Sequence, residues 1–228
     1  MTNSYQFLEI EREGAVTTVW LNRPDSLNAL SVDLMSEIEQ VSLAFLDDED
    51  TRVVVFRGRG KHFSAGADLK QMGGGPRNMV MRRRDSALGA RMIRAITEIH
   101  QVTIAGIHGA ALGGAACIAT ACDFRVGSED SFCGYPEVNL GMNLMWQSLP
   151  LCVHLIGPAR AKRMIMLGDN EDAKTLLEWG FLDEIVPSER LDETVNKMAI
   201  AYAAQPPVAT QMIKQSVNAV SSALDSAI

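Results

Sequence analysis

The chain carries Phe63-Ser64-Ala65-Gly66-Ala67-Asp68 and Gly109-Ala110-Ala111-Leu112-Gly113-Gly114, two loops of small residues that each follow a β-rich apolar run. The first follows Val53 to Phe56; the second follows Val102 to Ile107 and leads into a helix-like stretch from Ala115 to Cys122. Small residues let a backbone approach a ligand closely, and free amides at a strand end or a helix N-terminus favour negative charge. The paired loops therefore predict an oxyanion hole, in which both loops converge on one oxygen atom.

Around these loops, apolar periodicity predicts alternating strands and helices. Residues alternate from Val16 to Leu21 as in a strand, and Ser31 is placed to cap a helix. The apolar residues of that helix recur at three- and four-residue intervals: Leu34, Ile38, Val41 and Phe45. A strand at Arg52 to Arg57, a helix within Asn78 to Ile99 and a strand at Val102 to Ile107 repeat the alternation. This pattern favours a layered α/β fold, and by itself it allows an ordinary doubly wound sheet.

Beyond Gly141 the pattern becomes helical. Five segments without strong breakers in their interiors predict helices: Leu144 to Ile156, Pro158 to Leu167, Asp172 to Trp179, Glu189 to Ala204 and Pro207 to Ala227. Two of them begin with proline, which the first turn of a helix tolerates. With 228 residues, 47% of them hydrophobic, and no shift in composition that marks a linker, we predict one main domain with a helical tail.

Composition excludes several classes of function. A formal net charge of −7 disfavours binding to nucleic acid or to anionic membranes. The local exception, Arg82-Arg83-Arg84, is either a solvated helix face or a contact to phosphate groups. The low-charge stretch from Gln101 to Cys122 is too often interrupted to span a membrane, and the first residues show no signal peptide, so we expect a cytoplasmic protein.

The cysteines show no pattern of a disulfide framework or of a metal site. All four stand among apolar neighbours without a Cys-x-x-Cys pair: Cys117, Cys122, Cys133 and Cys152. We therefore expect buried, reduced thiols and no metal ion.

Five further motifs complete a recognisable order along the chain. They are Leu21-Asn22-Arg23-Pro24, Leu27-Asn28-Ala29-Leu30, Cys122-Asp123, Gly134-Tyr135-Pro136-Glu137-Val138-Asn139-Leu140-Gly141 and Gly180-Phe181-Leu182-Asp183. Together with the two loops, they make the chain resemble the crotonase family of enoyl-CoA hydratases and isomerases, from about Val16 to Val186.

The resemblance implies a spiral of β-β-α turns over residues 1–186, followed by a C-terminal helical segment over 187–228. Family members bind acyl-CoA thioesters and use no separate cofactor, since coenzyme A is part of the substrate. By matching positions, the oxyanion donors are the amides of Ala67 and Gly114. The implied substrate-binding residues are Ala65, Gly66, Ala67, Asp68, Leu69, Lys70 and Gly114, with 67–70 along the path of coenzyme A.

Assembly is also implied by the resemblance. The family's C-terminal helices pack against neighbouring subunits and help to close the acyl site, which suggests a homotrimer or a dimer of trimers. This chain ends earlier than typical members, so we expect the last helix of the family pattern to be shortened or absent.

The resemblance implies two acidic positions beside the substrate, and this chain keeps one of them. Glu137 follows Pro136 between apolar segments, where partial desolvation would raise its pKa toward that of a general base. Cys117 stands where hydratases of the family carry the other glutamate. We interpret Cys117 as a small buried wall residue rather than a proton donor or a nucleophile, although its place near a helix N-terminus would favour a thiolate.

Other residues near the site are interpreted as structural. His62 and His108 each precede one of the loops and are expected to support them through backbone hydrogen bonds. Met142, Met145 and Trp146 belong to a bulky segment that replaces the glycine-rich stretch of hydratases, and we expect them to be apolar wall or core residues.

These residues favour an isomerase that shifts a double bond of an enoyl-CoA, with Glu137 returning the proton that it removes. One acid-base group suffices for such a shuttle, whereas hydration normally needs a water positioned between two groups. The alternatives are a hydratase or another lyase, in which Asn143, Gln147 or Cys117 orients water, and an acyl-CoA-binding protein without turnover.

Overall fold

A computed structural model describes residues 5–70 and 78–223, with the backbone alone of Arg82. The strands within these ranges are β1 (Leu8–Glu13), β2 (Val16–Leu21), β3 (Val53–Gly58), β4 (Val102–Ile107), β5 (Ala110–Leu112), β6 (Phe124–Ser128), β7 (Phe132–Gly134), β8 (Asn170–Asp172) and β9 (Glu184–Val186). The α-helices in the same ranges are α1 (Val32–Ala44), α2 (Met79–Thr97), α3 (Gly114–Ala121), α4 (Ser148–Ile156), α5 (Pro158–Leu167), α6 (Ala173–Trp179), α7 (Leu191–Ala203) and α8 (Pro207–Ser222).

A six-stranded sheet forms the first layer, in the order β1-β2-β3-β4-β6-β9. The β1–β2 pair is antiparallel, and every other neighbouring pair is parallel. All residues of β3 and β4 are buried, because helices cover both faces of the sheet. That is the usual condition of a parallel sheet, whose strands are therefore continuous apolar runs rather than alternating ones.

Short extended steps form a second layer above this sheet. A three-stranded sheet has the order β5-β7-β8, and parallel bridges extend it from Ala111 to Ser64 and from Ala67 to Leu30. Each turn of the chain thus runs from a strand of the first layer, through a step in the second layer, to a helix. This arrangement confirms the predicted spiral of β-β-α turns and excludes the ordinary doubly wound sheet.

Several elements match the prediction. The strands at Val16–Leu21 and Val102–Ile107 have the expected bounds. Ser31 caps α1, since its hydroxyl accepts a hydrogen bond of 3.1 Å from the Leu34 amide. The predicted helix at Pro158–Leu167 is α5, with Pro158 in its first turn.

The helix predicted from Leu144 was wrong at its start. The helix begins at Ser148, and Gln147 before it has a left-handed φ of 60°. Pro150 gives the physical reason, since proline is accommodated in the first turn of a helix and disrupts its interior. Leu144 to Gln147 are therefore free to form a wall of the site described below.

The last two helices, α7 and α8, differ in how they contact the rest of the protein. α7 covers the second face of the large sheet through a cluster that includes Leu191, Val195 and Ala199. α8 has no buried residue, but Lys214 ties it to the body through bonds of 2.8 Å to Asp123 and to the Gln101 carbonyl oxygen. Residues 224–228, which include the predicted end of this helix, lie outside the described residues, and the boundary at residue 186 stays a prediction. None of the described helices is long and apolar enough to cross a membrane.

Asn28 ties the first loop to the large sheet. It is fully buried and has a left-handed φ of 53°. Its side-chain oxygen accepts from the Arg23 amide at 2.8 Å. Its side-chain nitrogen donates to the carbonyl oxygens of Arg59, His62 and Phe63 at 2.8, 2.9 and 3.2 Å. The Asn28 side chain thus forms hydrogen bonds with four backbone groups, three of which lie where the chain passes from β3 to the second layer.

We expect Asn28→Ala to lower the free energy of unfolding by about 2–4 kcal/mol, because it leaves buried backbone groups unpaired and places alanine in a left-handed conformation. The matched control is Asn22→Ala at an exposed asparagine, which should change it by less than about 0.5 kcal/mol. Urea denaturation of the variants measures both values. Equal midpoints for Asn28→Ala and wild type would contradict this account of the loop.

Candidate active site

The two small-residue loops lie side by side. The Ser64 amide donates to the Ala110 carbonyl oxygen at 3.0 Å, and the Leu112 amide donates to the Ser64 carbonyl oxygen at 3.2 Å. The Phe63 amide also donates to the His108 carbonyl oxygen at 2.8 Å. The loops are therefore joined to each other along their backbones.

Glycine is required where the loops meet most closely. Gly66 has a φ of +87°, and a Cβ there would lie 2.4 Å from the Leu112 carbonyl oxygen and 3.7 Å from the Gly114 nitrogen. Gly113 has a φ of +53°, which turns the chain from β5 into α3. Because side chains rarely adopt such φ values and the first position has no room for one, both residues must be glycine.

The amides of Ala67 and Gly114 are free in this arrangement. Leu30 pairs with the residues on either side of Ala67, accepting from the Asp68 amide at 3.1 Å and donating to the Gly66 carbonyl oxygen at 2.8 Å. Gly114 is the first residue of α3, where amides have no partner inside the helix. Within residues 5–70 and 78–223, neither amide donates a hydrogen bond, so both can bind a ligand oxygen.

A cavity of about 100 Å³ opens at this junction. It is lined by both loops, by the segment around Glu137 and by the segment before α4: Ala65, Gly66, Ala67, Leu69, Gly113, Gly114, Pro136, Glu137, Leu140, Met142, Asn143, Leu144, Met145 and Trp146. The predicted Asp68 and Lys70 are not among the lining residues. Asp68 instead forms an ion pair of 3.3 Å with Arg23, and Lys70 is exposed.

Glu137 supplies a carboxyl group to the cavity. It lies in a 3₁₀ helix from Pro136 to Leu140, and its Oε1 would lie 3.1 Å from a Cβ at Gly113. Its Oε2 is buried and has no hydrogen-bond partner in the described part of the chain. Burial raises the pKa of Glu137, because the loss of water around the ionised carboxylate outweighs the hydrogen bond from the residue's own backbone amide. A carboxyl group in this state is suited to accept and return a proton.

Cys117 lies in α3 and is only 1% exposed. Burial raises the pKa of its thiol well above the ordinary value, and the negative charge of Glu137 raises it further. The thiol is therefore neutral, and the proximity of the helix N-terminus does not produce a thiolate. All four cysteines are unpaired, and their side chains are buried, as the apolar neighbours predicted.

Two histidines hold the loops in place through hydrogen bonds to backbone groups. His62 accepts a hydrogen bond of 3.1 Å from the Ala110 amide through Nδ1. His108 donates from Nε2 to the Gly60 carbonyl oxygen at 3.0 Å. These bonds confirm the expected supporting role. Within the described part of the chain, no group of three or more His, Cys, Asp and Glu side chains could hold a metal ion.

The sequence missed part of the cavity wall. Leu140 and Leu144 line it but carried no signal beyond their apolar character. Apolar periodicity places Leu144 in a helix, but Pro150 is the signal in the sequence for the later start at Ser148. Met142, Met145 and Trp146 do line the cavity, as expected.

The structure thus places two free amides and a partly buried carboxyl group around one cavity. Such groups can hold an anionic oxygen and exchange a proton. A family model described as enoyl-CoA hydratase/isomerase matches residues 11–227. The chain belongs to this family, also called the crotonase family, whose members act on acyl-CoA thioesters.

Individual relatives agree with this assignment. A short-chain-enoyl-CoA hydratase of Clostridium acetobutylicum is 33% identical over 210 residues, which cover 92% of this chain and 80% of the relative. A peroxisomal Delta(3,5)-Delta(2,4)-dienoyl-CoA isomerase of Arabidopsis thaliana is 30% identical over 221 residues, which cover 90% and 79%. The crystal structure of an enoyl-CoA hydratase from Bacillus anthracis matches with a TM-score of 0.89 at 30% identity, covering 93% of this chain and 83% of that chain.

Burial of Glu137 has a consequence for stability. Since its pKa is raised in the folded protein, the folded state holds the proton more tightly than the unfolded chain. The stability contributed by the neutral carboxyl group is present below the unfolded pKa and is lost as pH rises through the folded pKa. We therefore expect Glu137→Gln, which is neutral at every pH, to be more stable than wild type at pH 8 and nearly equal to it at pH 4. Urea denaturation at both pH values measures this difference, and a pH-independent difference would contradict the desolvation of Glu137.

Proposed function

We propose that this protein is an enoyl-CoA isomerase that shifts a double bond through a thioester enolate, with Glu137 as the single acid-base group. The observation that carries the proposal is that, among the described residues, Glu137 is the one carboxyl group that lines the cavity. Position 117, where hydratases of the family carry their other glutamate, holds a buried and neutral thiol. The site therefore has one group that can move a proton.

In the proposed reaction the thioester oxygen of a 3-enoyl-CoA accepts hydrogen bonds from the amides of Ala67 and Gly114. These amides are free, and α3 directs its positive end toward the same point. The ionised carboxylate of Glu137 removes a proton from C2, and the resulting electron pair delocalises onto the thioester oxygen. Fixed donors at that oxygen stabilise the developing charge without having to reorient.

The same carboxyl group then returns the proton to C4, and the electrons of the dienolate leave a double bond between C2 and C3. Proton and electrons balance without any co-reactant. Removal of the proton needs the ionised form of Glu137, while its return needs the neutral form. A raised pKa narrows the free-energy gap between the two forms near neutral pH, which suits a shuttle of this kind.

A second candidate is hydration of a 2-enoyl-CoA, favoured by the hydratase names of several relatives. Of the three residues considered for orienting water, Asn143 lines the cavity, whereas Gln147 and Cys117 are absent from the lining. The Asn143 side-chain oxygen accepts from the Leu144 amide at 2.8 Å, so its amino group is the part that could hold a water molecule. In this alternative, Asn143 and Glu137 would share that water.

Further features of the proposal follow from the resemblance. Coenzyme A would run past Leu69 and Lys70, of which Leu69 lines the cavity. Arg83 and Arg84 are exposed near the start of α2, where they fit either a solvated face or a phosphate contact. The homotrimer or dimer of trimers and the cytoplasmic location remain predictions.

Parallel assays with 3-enoyl-CoA and with 2-enoyl-CoA distinguish an isomerase, a hydratase and a binding protein without turnover. An isomerase converts the first to the second and leaves water unincorporated, a hydratase forms a 3-hydroxyacyl-CoA from the second, and a binding protein changes neither.

We expect Glu137→Gln to lower turnover by about a hundredfold or more while the fold is kept, which is the scale for removing a positioned acid-base group. Turnover near the wild-type rate in this variant would remove Glu137 from the mechanism.

Cys117 provides the matched test of the single-carboxyl proposal. We expect Cys117→Ala to change turnover by less than about tenfold, because it removes little volume and no proton carrier. Cys117→Glu should introduce or increase hydratase activity if the cavity still holds water between two carboxyl groups. A large loss in Cys117→Ala, together with alkylation kinetics that show a depressed thiol pKa, would make Cys117 a catalytic partner.

A further inference from the structure

The indole of Trp146 fills a gap between two helices at the wall of the cavity. A Cβ at Gly89 of α2 would lie 2.1 Å from Cε2 and 2.3 Å from Nε1 of the ring. A Cβ at Gly114 of α3 would lie 2.1 Å from Cζ3 and 2.7 Å from Cη2. The five-membered side of the indole thus rests on one glycine and the six-membered side on the other.

Gly89 is explained by space rather than by backbone conformation. It lies inside α2, and its φ is not in the left-handed region. Glycine in a helix interior costs about 0.5–1 kcal/mol relative to alanine. Since no turn requires glycine here, its role is to leave room for the indole.

Residues before and after Trp146 in the sequence contact the rest of the protein. Leu144 is buried, and Gln147 accepts a hydrogen bond of 3.2 Å from Arg94 of α2 through its side-chain oxygen. The segment before α4 is therefore attached to α2 next to Gly89. The indole forms a wall of the cavity between α2 and α3.

The cavity beside this wall is small. Its volume of about 100 Å³ is well below the roughly 300–1,000 Å³ of pockets that bind drug-sized ligands. With a thioester oxygen on Gly114 and the reacting carbons beside Glu137, the remainder of the acyl chain must fit between these residues and Trp146. The indole occupies the gap between α2 and α3 and would block an acyl chain that entered it.

We propose that Trp146 determines the acyl-chain length that the site accepts and restricts it to short-chain acyl-CoA thioesters. Gly89 is the positioning residue that lets the indole occupy the gap. This inference rests on the proposed acyl-CoA site but not on the reaction assigned to it.

The test measures binding, so that it does not depend on turnover. Affinities for butyryl-, octanoyl- and dodecanoyl-CoA are determined by isothermal titration calorimetry for wild type and for Trp146→Ala. We expect wild type to bind butyryl-CoA most tightly. In Trp146→Ala, the affinity for dodecanoyl-CoA relative to butyryl-CoA should rise about tenfold or more, since added methylenes gain a pocket. Trp179→Ala, which removes a tryptophan that does not line the cavity, should keep the wild-type order.

Gly89→Ala tests the same wall in the opposite direction. The added methyl group must displace the indole, and because Gly114 blocks one side, the ring moves into the cavity. We expect butyryl-CoA to bind about tenfold more weakly while the helix remains intact. If Trp146→Ala does not fold, Trp146→Leu serves the same comparison.

Failure of the isomerase assay alone would leave this inference standing, because saturated thioesters report on the wall without any reaction. The inference is overturned if a folded Trp146→Ala or Trp146→Leu variant keeps the wild-type order of affinities. It is equally overturned if wild type binds dodecanoyl-CoA as tightly as butyryl-CoA, or if it binds none of the three.

Discussion

The short parallel pairing between the two small-residue loops is the interaction on which the candidate site depends. Bonds from Ser64 to Ala110 and from Leu112 to Ser64 use the backbone groups of both loops, and the register leaves the amides of Ala67 and Gly114 free. A ligand oxygen can thus be held by donors that belong to rigid elements, so their orientation needs no reorganisation when charge develops. Asn28 extends the same constraint to the large sheet.

The candidate site lowers the stability of the folded protein chiefly at Glu137. Its Oε2 is buried without a hydrogen bond from the described residues, and the raised pKa follows from that desolvation. A surface glutamate would cost less stability, but its carboxyl group would keep water around it and would lack the raised pKa of Glu137. Gly113 permits this placement, because a side chain there would approach the carboxyl oxygen to 3.1 Å. Under the proposed function, the group that lowers stability is also the group that moves the proton.

Individual strands, helices and turns are largely predictable from the sequence because their signals are local. Ser31 caps its helix through a residue three positions away, and Gly66 and Gly113 stand at turns that glycine favours. The spiral itself could not be derived from periodicity and came from the family motifs. Trp146 was recognised as apolar, but its packing on Gly89 joins residues far apart in sequence, and no local pattern encodes that contact. The predicted start of α4 is wrong because apolar periodicity continues back to Leu144, whereas Pro150 fits only the first turn of a helix that begins at Ser148.

In the proposed chemistry, Cys117 and Trp146 both disfavour the addition of water. A second carboxylate near Glu137 would raise its pKa further by repulsion and would offer a second anchor for water. The thiol at Cys117 is neutral and buried, so it does neither. Trp146 fills apolar space beside the same reacting carbons and leaves little volume for solvent. In the proposed reaction, one proton carrier and restricted access for water would leave the substrate itself as the nearest acceptor of the proton on Glu137, which would favour transfer along the carbon chain over hydration.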